Sequence, residues 1–156
     1  MATKWLRYAS GMTDATVPDR IEREVVLDVP VERVWAALTD PAEIVKWFGD
    51  GADVDLRPGG DVEFRFGSEK CPAIVEVVEP MRRFAYWWQP GSGAGEPVPA
   101  DNRTLVDFTL EPAGDGTRLR LVESGFASVK DPARQFREND GGWDEELGEL
   151  VAYLSA

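Results

Sequence analysis

A chain of 156 residues is the size of one domain, large enough to bury about two-thirds of its unfolded surface without a disulfide or a metal. A net charge of −12 argues against nucleic acid and anionic membrane surfaces as partners, since both call for basic patches. With no histidine and one cysteine, the commonest general base, the Ser-His and Cys-His nucleophile systems, a zinc or copper site and an intramolecular disulfide drop out of consideration.

The first twenty residues are weakly patterned and read as an N-terminal arm or short helix packed on the edge of the domain. They hold no apolar run of signal-peptide length, no stretch of the chain approaches a membrane span, and Cys71 stands alone, so a cytoplasmic location is expected. Ile21 to Asp28 has the pattern of a strand, with Val25 and Leu27 on one face and Glu24, Val26 and Asp28 on the other. Pro30 stops it. Apolar residues at Val31, Val34, Trp35 and Leu38 then follow helical spacing. Asp40-Pro41-Ala42-Glu43 is a second helix start, with Asp40 as cap and Glu43 placed to reach back. That helix is short, ending at Trp47-Phe48 before Gly49-Asp50-Gly51.

Strands follow. Ala52 to Leu56 leads into the turn Arg57-Pro58-Gly59-Gly60. Asp61 to Phe66 alternates, with Val62, Phe64 and Phe66 on a dry face and Asp61, Glu63 and Arg65 on a wet one. Pro72 to Glu79 and Arg83 to Gln89 are two more strands, and Pro90 to Asn102 is a loop. Thr104 to Leu110 and Thr117 to Glu123 form a hairpin across Glu111 to Gly116, with Val106, Phe108 and Leu110 in phase and Leu119 and Leu121 in phase. Short turns between about seven strands predict an antiparallel sheet. The last element is a helix starting at Asp131-Pro132, with Phe136, Trp143, Leu147, Leu150 and Leu154 on one face. It is about 33 Å long if it runs to Tyr153, with a kink or late start possible at Gly141-Gly142.

This order, one strand, two short helices, six more strands and a long helix, is that of an α+β helix-grip (START/Bet v 1-like) fold, a curved antiparallel sheet wrapped around the C-terminal helix. The run from Val29 to Phe48 (Val-Pro-Val-Glu-Arg-Val-Trp-Ala-Ala-Leu-Thr-Asp-Pro-Ala-Glu-Ile-Val-Lys-Trp-Phe) resembles the opening of the START-like, or SRPBCC, superfamily. Within it, the chain is similar to the family of the C-terminal domain of the activator of heat-shock-protein-90 ATPase, as a bacterial single-domain member. Asp55 to Gly60 resembles that family's strand and glycine turn, Thr117 to Phe126 its final strand, and Gly142-Trp143 with Leu147, Leu150, Tyr153 and Leu154 its last helix. The resemblance covers residues 21–154 and implies an arm over residues 1–20 and a single START-like domain over 21–156. It also implies a cavity between sheet and helix that binds an apolar or aromatic small molecule. The co-chaperone carries a separate domain ahead of this one. Only about twenty residues precede it here, which argues against a chaperone partner.

The candidate ligand-binding residues are Trp35, Trp47, Phe48, Phe64, Phe66, Tyr86, Trp88, Phe108, Phe126, Trp143 and Leu147. Each is also what a core would use. Trp87 and Trp88 point to opposite faces, so one of them looks inward. Glu63, Arg65, Glu76 and Asp107 read as a solvated outer face. A cyclase-like or hydrolase-like reaction needs at least one inward carboxylate, Tyr or Arg; Glu76, Glu123 and Tyr86 are the candidates, and burial would raise the pKa of an inward Glu. Cys71 reads as structural, and Gly91-Ser92-Gly93-Ala94-Gly95 lacks the lysine and helix of a phosphate loop. Three functions remain: a carrier or sensor of a hydrophobic ligand without metal or cofactor, a polyketide cyclase or aromatase-type enzyme, and a chaperone-directed interaction module. The sequence favours the first, names no catalytic residue, and leaves a homodimer open.

Overall fold

The computed structural model describes the backbone of residues 5–8 and residues 17–89 and 97–156. Its elements run β1 (Trp5–Tyr8), β2 (Arg20–Leu27), α1 (Val31–Thr39), α2 (Pro41–Ile44), β3 (Gly51–Val54), β4 (Asp61–Phe66), β5 (Glu69–Glu79), β6 (Arg83–Trp88), β7 (Thr104–Ala113), β8 (Gly116–Ser124), a short 3-10 turn (Phe126–Ser128) and α3 (Pro132–Leu154). The strands form one antiparallel sheet in the order β1-β2-β8-β7-β6-β5-β4-β3. Seven of them are the strands expected from Ile21 onward. The eighth comes from the arm, where Trp5–Tyr8 pairs with Glu22–Val25 as an edge strand rather than forming a helix. Residues 1–4 and 9–16 of the arm, and the glycine-rich part of the 90–102 loop, lie outside the described residues. No helix among the described residues is long and apolar enough to cross a membrane.

Strand alternation sets the inner face. Ile21, Val25 and Leu27 of β2, Val62 and Phe64 of β4, Phe84 and Tyr86 of β6, Val106, Phe108 and Leu110 of β7, and Leu119 and Leu121 of β8 are all buried in one core. From α3, Trp143, Leu147, Leu150 and Leu154 close it at i, i+4 and i+7 spacing. Helix α1 packs on the same core against β7 and β8, with Trp35 edge-on to Phe84 at 6.4 Å. The outer face carries ion pairs. Arg83 makes a two-pronged contact with Asp107, at 2.7 and 3.0 Å, and Arg65 bridges Asp53 and Glu63. Glu76 accepts from the Trp87 indole at 3.1 Å. These four charged candidates are therefore outward.

Several local expectations are corrected. Asp40 caps α2 as expected, accepting from the Ala42 N–H at 3.0 Å. Glu43, however, does not reach back. Its carboxylate is held instead by Arg33 and by the Tyr153 hydroxyl at 2.6 Å, which ties α2 to the end of α3. Helix α2 stops at Ile44, and Trp47 and Phe48 sit in the hydrogen-bonded turns after it. Asp131 adopts a left-handed conformation (φ 51°) and its side chain caps nothing. Helix α3 runs unbroken through Gly141-Gly142, so there is no late start. Strand β7 continues through Pro112 to Ala113, which confines the hairpin turn to Gly114-Asp115. At Gly60 an added Cβ would lie 2.0 Å from the Asp55 carbonyl oxygen. The turn after β3 therefore needs glycine there, and it packs against β5 through Gly59 N–H to Val75 O and Val75 N–H to Gly60 O. That contact coincides with the register shift between Val75 and Val77 of β5.

Candidate functional site

The most unusual group on the inner face is Glu123, near the end of β8. It is 0% exposed, with Leu119 and Leu121 in phase before it. The Trp88 indole N–H (2.8 Å) and the Thr104 hydroxyl (2.6 Å) donate to its Oε2, and the Trp143 indole N–H (2.8 Å) donates to its Oε1. The Asn139 amide donates to both oxygens at 3.0 Å. Strand register brings Trp88 opposite Thr104 and Glu123 opposite Val106 on the same face, while Asn139 and Trp143 come from one face of α3 four residues apart. Burial raises the Glu123 pKa, and the four donors act in opposition by favouring the ionised form.

Beside it lies a second buried charge. Arg23 of β2 is 2% exposed, in phase with Ile21, Val25 and Leu27. Its Nε donates to Asp144 Oδ1 at 2.8 Å, its Nη2 reaches Asp140, and its Nη1 donates to the Glu22 carbonyl at 3.0 Å. Helix α3 thus offers two i, i+4 pairs one residue out of step. Asn139 and Trp143 hold the carboxylate, and Asp140 and Asp144 hold the guanidinium. The pairing fixes both the rotation of the helix and its axial position over the sheet.

Around this anchor the aromatic candidates separate into two groups. Phe48, Phe66, Trp88 and Trp143 line a recess of about 130 Å³ against Glu138, Asn139, Gly142 and Glu146 of α3. Phe48 and Trp143 stack at 5.7 Å with 8° between planes, and Trp88 lies 6.0 Å from Trp143. A larger cleft of about 670 Å³ shares Phe66, Trp88, Glu138 and Asn139 with the recess and is further bounded by Cys71 on the sheet and by Lys130 and Arg134 opposite. Trp35, Trp47, Phe64, Tyr86, Phe108 and Leu147 are core residues behind this wall. Trp47 is further fixed by donating to the Ala37 carbonyl at 2.8 Å. Phe126 is also buried, edge-on to Phe136 at 5.5 Å beneath the first turns of α3.

Trp88 is thus the inward member of its pair. Trp87 is on the outer face, with the Arg103 guanidinium 4.2 Å from its ring centroid. Tyr86 is fully buried, and burial, then the Glu123 charge, then Cys71 push its phenol well up. Burial, with the Glu69 charge second, likewise raises the Cys71 thiol and disfavours a thiolate. Among the described residues no group of three or more His, Cys, Asp or Glu is placed to hold a metal ion. Arg23, Thr104 and Asn139 were not among the candidates. Each has a signal in hindsight: Arg23 and Thr104 share the phase of their strands' apolar residues, and Asn139 precedes Trp143 by one helical repeat.

Comparison with known proteins bears on this geometry. The family model described as activator of Hsp90 ATPase homolog 1-like protein matches residues 28–155. Among solved structures, DynU16, a protein in the dynemicin biosynthetic locus, is 26% identical with a TM-score of 0.73, over 90% of this chain and 48% of that one. MLL2253 from Mesorhizobium loti is 27% identical with a TM-score of 0.73, over 87% of this chain and 96% of that one. Uncharacterized protein C1711.08 of Schizosaccharomyces pombe is 24% identical over 105 residues, 67% of this chain and 29% of its own length. The chain therefore spans less than a third of that curated relative and about half of DynU16. With most of its length matched and the helix-grip architecture in place, the chain belongs to the activator of Hsp90 ATPase homolog 1-like family, within the START-like superfamily.

Proposed function

We propose that this protein binds a small apolar or aromatic molecule in the recess and cleft beneath the N-terminal half of α3. The observation that carries this reading is the recess itself, an open hollow of about 130 Å³ lined by four rings, Gly142 and the polar rim of α3, sharing residues with a larger cleft. A cavity of roughly 150 Å³ lined by apolar side chains suffices for benzene. Each Å² of apolar ligand surface removed from water contributes about 25 cal/mol. The Glu123 network supports the reading by fixing Trp88 and Trp143, two walls of the recess, through their indole N–H groups. A wall that does not rearrange spares the ligand an ordering cost. The 26% identity to a protein of a biosynthetic locus is consistent with a small-molecule role.

Catalysis of the cyclase type draws support from one observation, the inward Glu123 with its raised pKa. Both its oxygens are occupied by protein donors, and it lines neither the recess nor the cleft. Binding is therefore the better-supported reading. The test uses the fact that a Cβ on Gly142 would meet nothing within 4 Å. Gly142→Leu places a side chain in the recess without a backbone clash. Indole, titrated into the protein and followed by NMR, should shift the Trp88 and Trp143 indole N–H resonances saturably, leave that of Trp47 unmoved, and lose the effect in Gly142→Leu. Indole shifts that persist unchanged in the variant, or that never appear in the parent, would defeat the proposal.

A further inference from the structure

The recess has a polar rim, and its three polar groups are not equivalent. Asn139 spends its amide on Glu123. Glu138 pairs with Arg134 at 3.2 Å along the exposed side of α3. Glu146, half-buried where the recess meets Trp143, makes no hydrogen bond or ion pair with a described residue, and its charged neighbours are Glu145 and Glu149. From the facing elements come Phe48, Phe66 and Trp88, and among the described residues no cation lines the recess. A carboxylate is thus set against aromatic rings without a counter-ion, in a chain whose net charge is −12.

We propose that the recess accepts an organic cation, an ammonium group on a flat apolar body of about the size of a benzene ring, with the ring against Phe48, Phe66, Trp88 and Trp143 and the charge beside Glu146. The proposal rests on the recess being a ligand site and adds the chemical class of the ligand. Three physical effects favour it. The ring quadrupoles of tryptophan and phenylalanine attract a cation that approaches their faces. A carboxylate partly removed from water gains more from a cation than an exposed one does. The acidic surface concentrates cations and repels anions before contact. An anionic ligand would instead meet the carboxylates of Glu138 and Glu146 at the rim. Burial first, and then the charges of Glu145 and Glu149, push the Glu146 carboxyl up to about 7. The attraction is therefore complete above that pH and fades as the carboxyl takes up its proton below it.

The experiment compares benzylammonium, benzyl alcohol and benzoate, which share a ring and differ in charge, by titration at pH 8 and pH 6 with the Trp88 and Trp143 indole N–H resonances as readout. Benzylammonium should bind about tenfold tighter than benzyl alcohol at pH 8, with benzoate weakest. That preference should shrink at pH 6 and in Glu146→Gln, and should survive in Glu149→Gln, which lies outside the recess. Equal affinities for the cation and the alcohol, tighter binding of benzoate, or an equal loss in Glu146→Gln and Glu149→Gln would overturn the cation assignment while leaving the recess a ligand site. No shift of either indole with any of the three probes would overturn both.

Discussion

Replacing Glu123 with glutamine tests the anchor beneath α3. The carboxylate accepts from four side chains, the Trp88, Trp143, Thr104 and Asn139 donors, and the two indoles are donors only. Glutamine keeps one acceptor oxygen and turns the other into an NH₂ that faces an indole N–H. That indole cannot reverse its role, and an unsatisfied buried donor costs about 1–3 kcal/mol. The remaining contacts lose their charge assistance, roughly halving bonds of about 1.5–3 kcal/mol each. Relief from burying a charge offsets part of this. The net loss should be about 2–4 kcal/mol, against a typical domain stability of about 5–15 kcal/mol.

The pH dependence carries a sign. Glu123 has a folded-state pKa above its ordinary value, so the parent gains stability as pH falls from the folded value toward the ordinary carboxylate range. The protonated acid still has lone pairs on both oxygens, which the amide nitrogen lacks. Glutamine gains nothing on acidification, so the deficit of Glu123→Gln should widen in acid. Urea denaturation of both proteins at pH 7.5 and pH 5 measures it. A variant as stable as its parent at pH 7.5, or a gap that narrows in acid, would refute this account of the network.

Other substitutions probe the same architecture. Arg23→Met removes the guanidinium that Asp140 and Asp144 share; both aspartates keep some solvent, so the loss should be about 2–3 kcal/mol, with faster amide exchange in the first half of α3. Gly141→Ala sits mid-helix with nothing within 4 Å of the added Cβ, and should raise stability by about 0.5–1 kcal/mol in a thermal melt. Tyr153→Phe deletes the hydroxyl that donates to Glu43 and should cost about 1 kcal/mol at neutral pH. The Tyr153 hydrogen bond is the largest cause of Glu43's lowered pKa, so that cost should fade as pH falls through the acidic carboxylate range.

The fold was legible because its signals are periodic. Val62, Phe64 and Phe66 alternate with Asp61, Glu63 and Arg65, and Trp143, Leu147, Leu150 and Leu154 recur at helical spacing, so sheet and helix faces followed directly. Glu123 was half legible. The sequence offered it only as a carboxylate that could face inward, beside Glu76 which faces out, and only the donors of α3 and β6 decide between them. Arg23 was less visible still, because it stands between Glu22 and Glu24 in what looks like a charged run, and its partners lie more than a hundred residues away. The facing of Trp87 and Trp88 needed the pairing of β6 with its neighbours. Local rules failed where tertiary contacts outbid them. Glu43 gave up its reach-back for Arg33 and Tyr153, and two adjacent glycines did not interrupt a helix held by Arg23 and Glu123. Trp5–Tyr8 is too short for a period to show, so its strand emerges only from pairing with β2.

The central claim, that the ring-walled recess holds a small molecule, is tested most directly by diffraction from crystals soaked with indole. The account predicts density for one flat molecule bounded by Phe48, Phe66, Trp88 and Trp143 beneath Gly142, with the Glu123 hydrogen bonds unchanged. An empty recess at saturating indole, or indole bound only elsewhere on the surface, would contradict it.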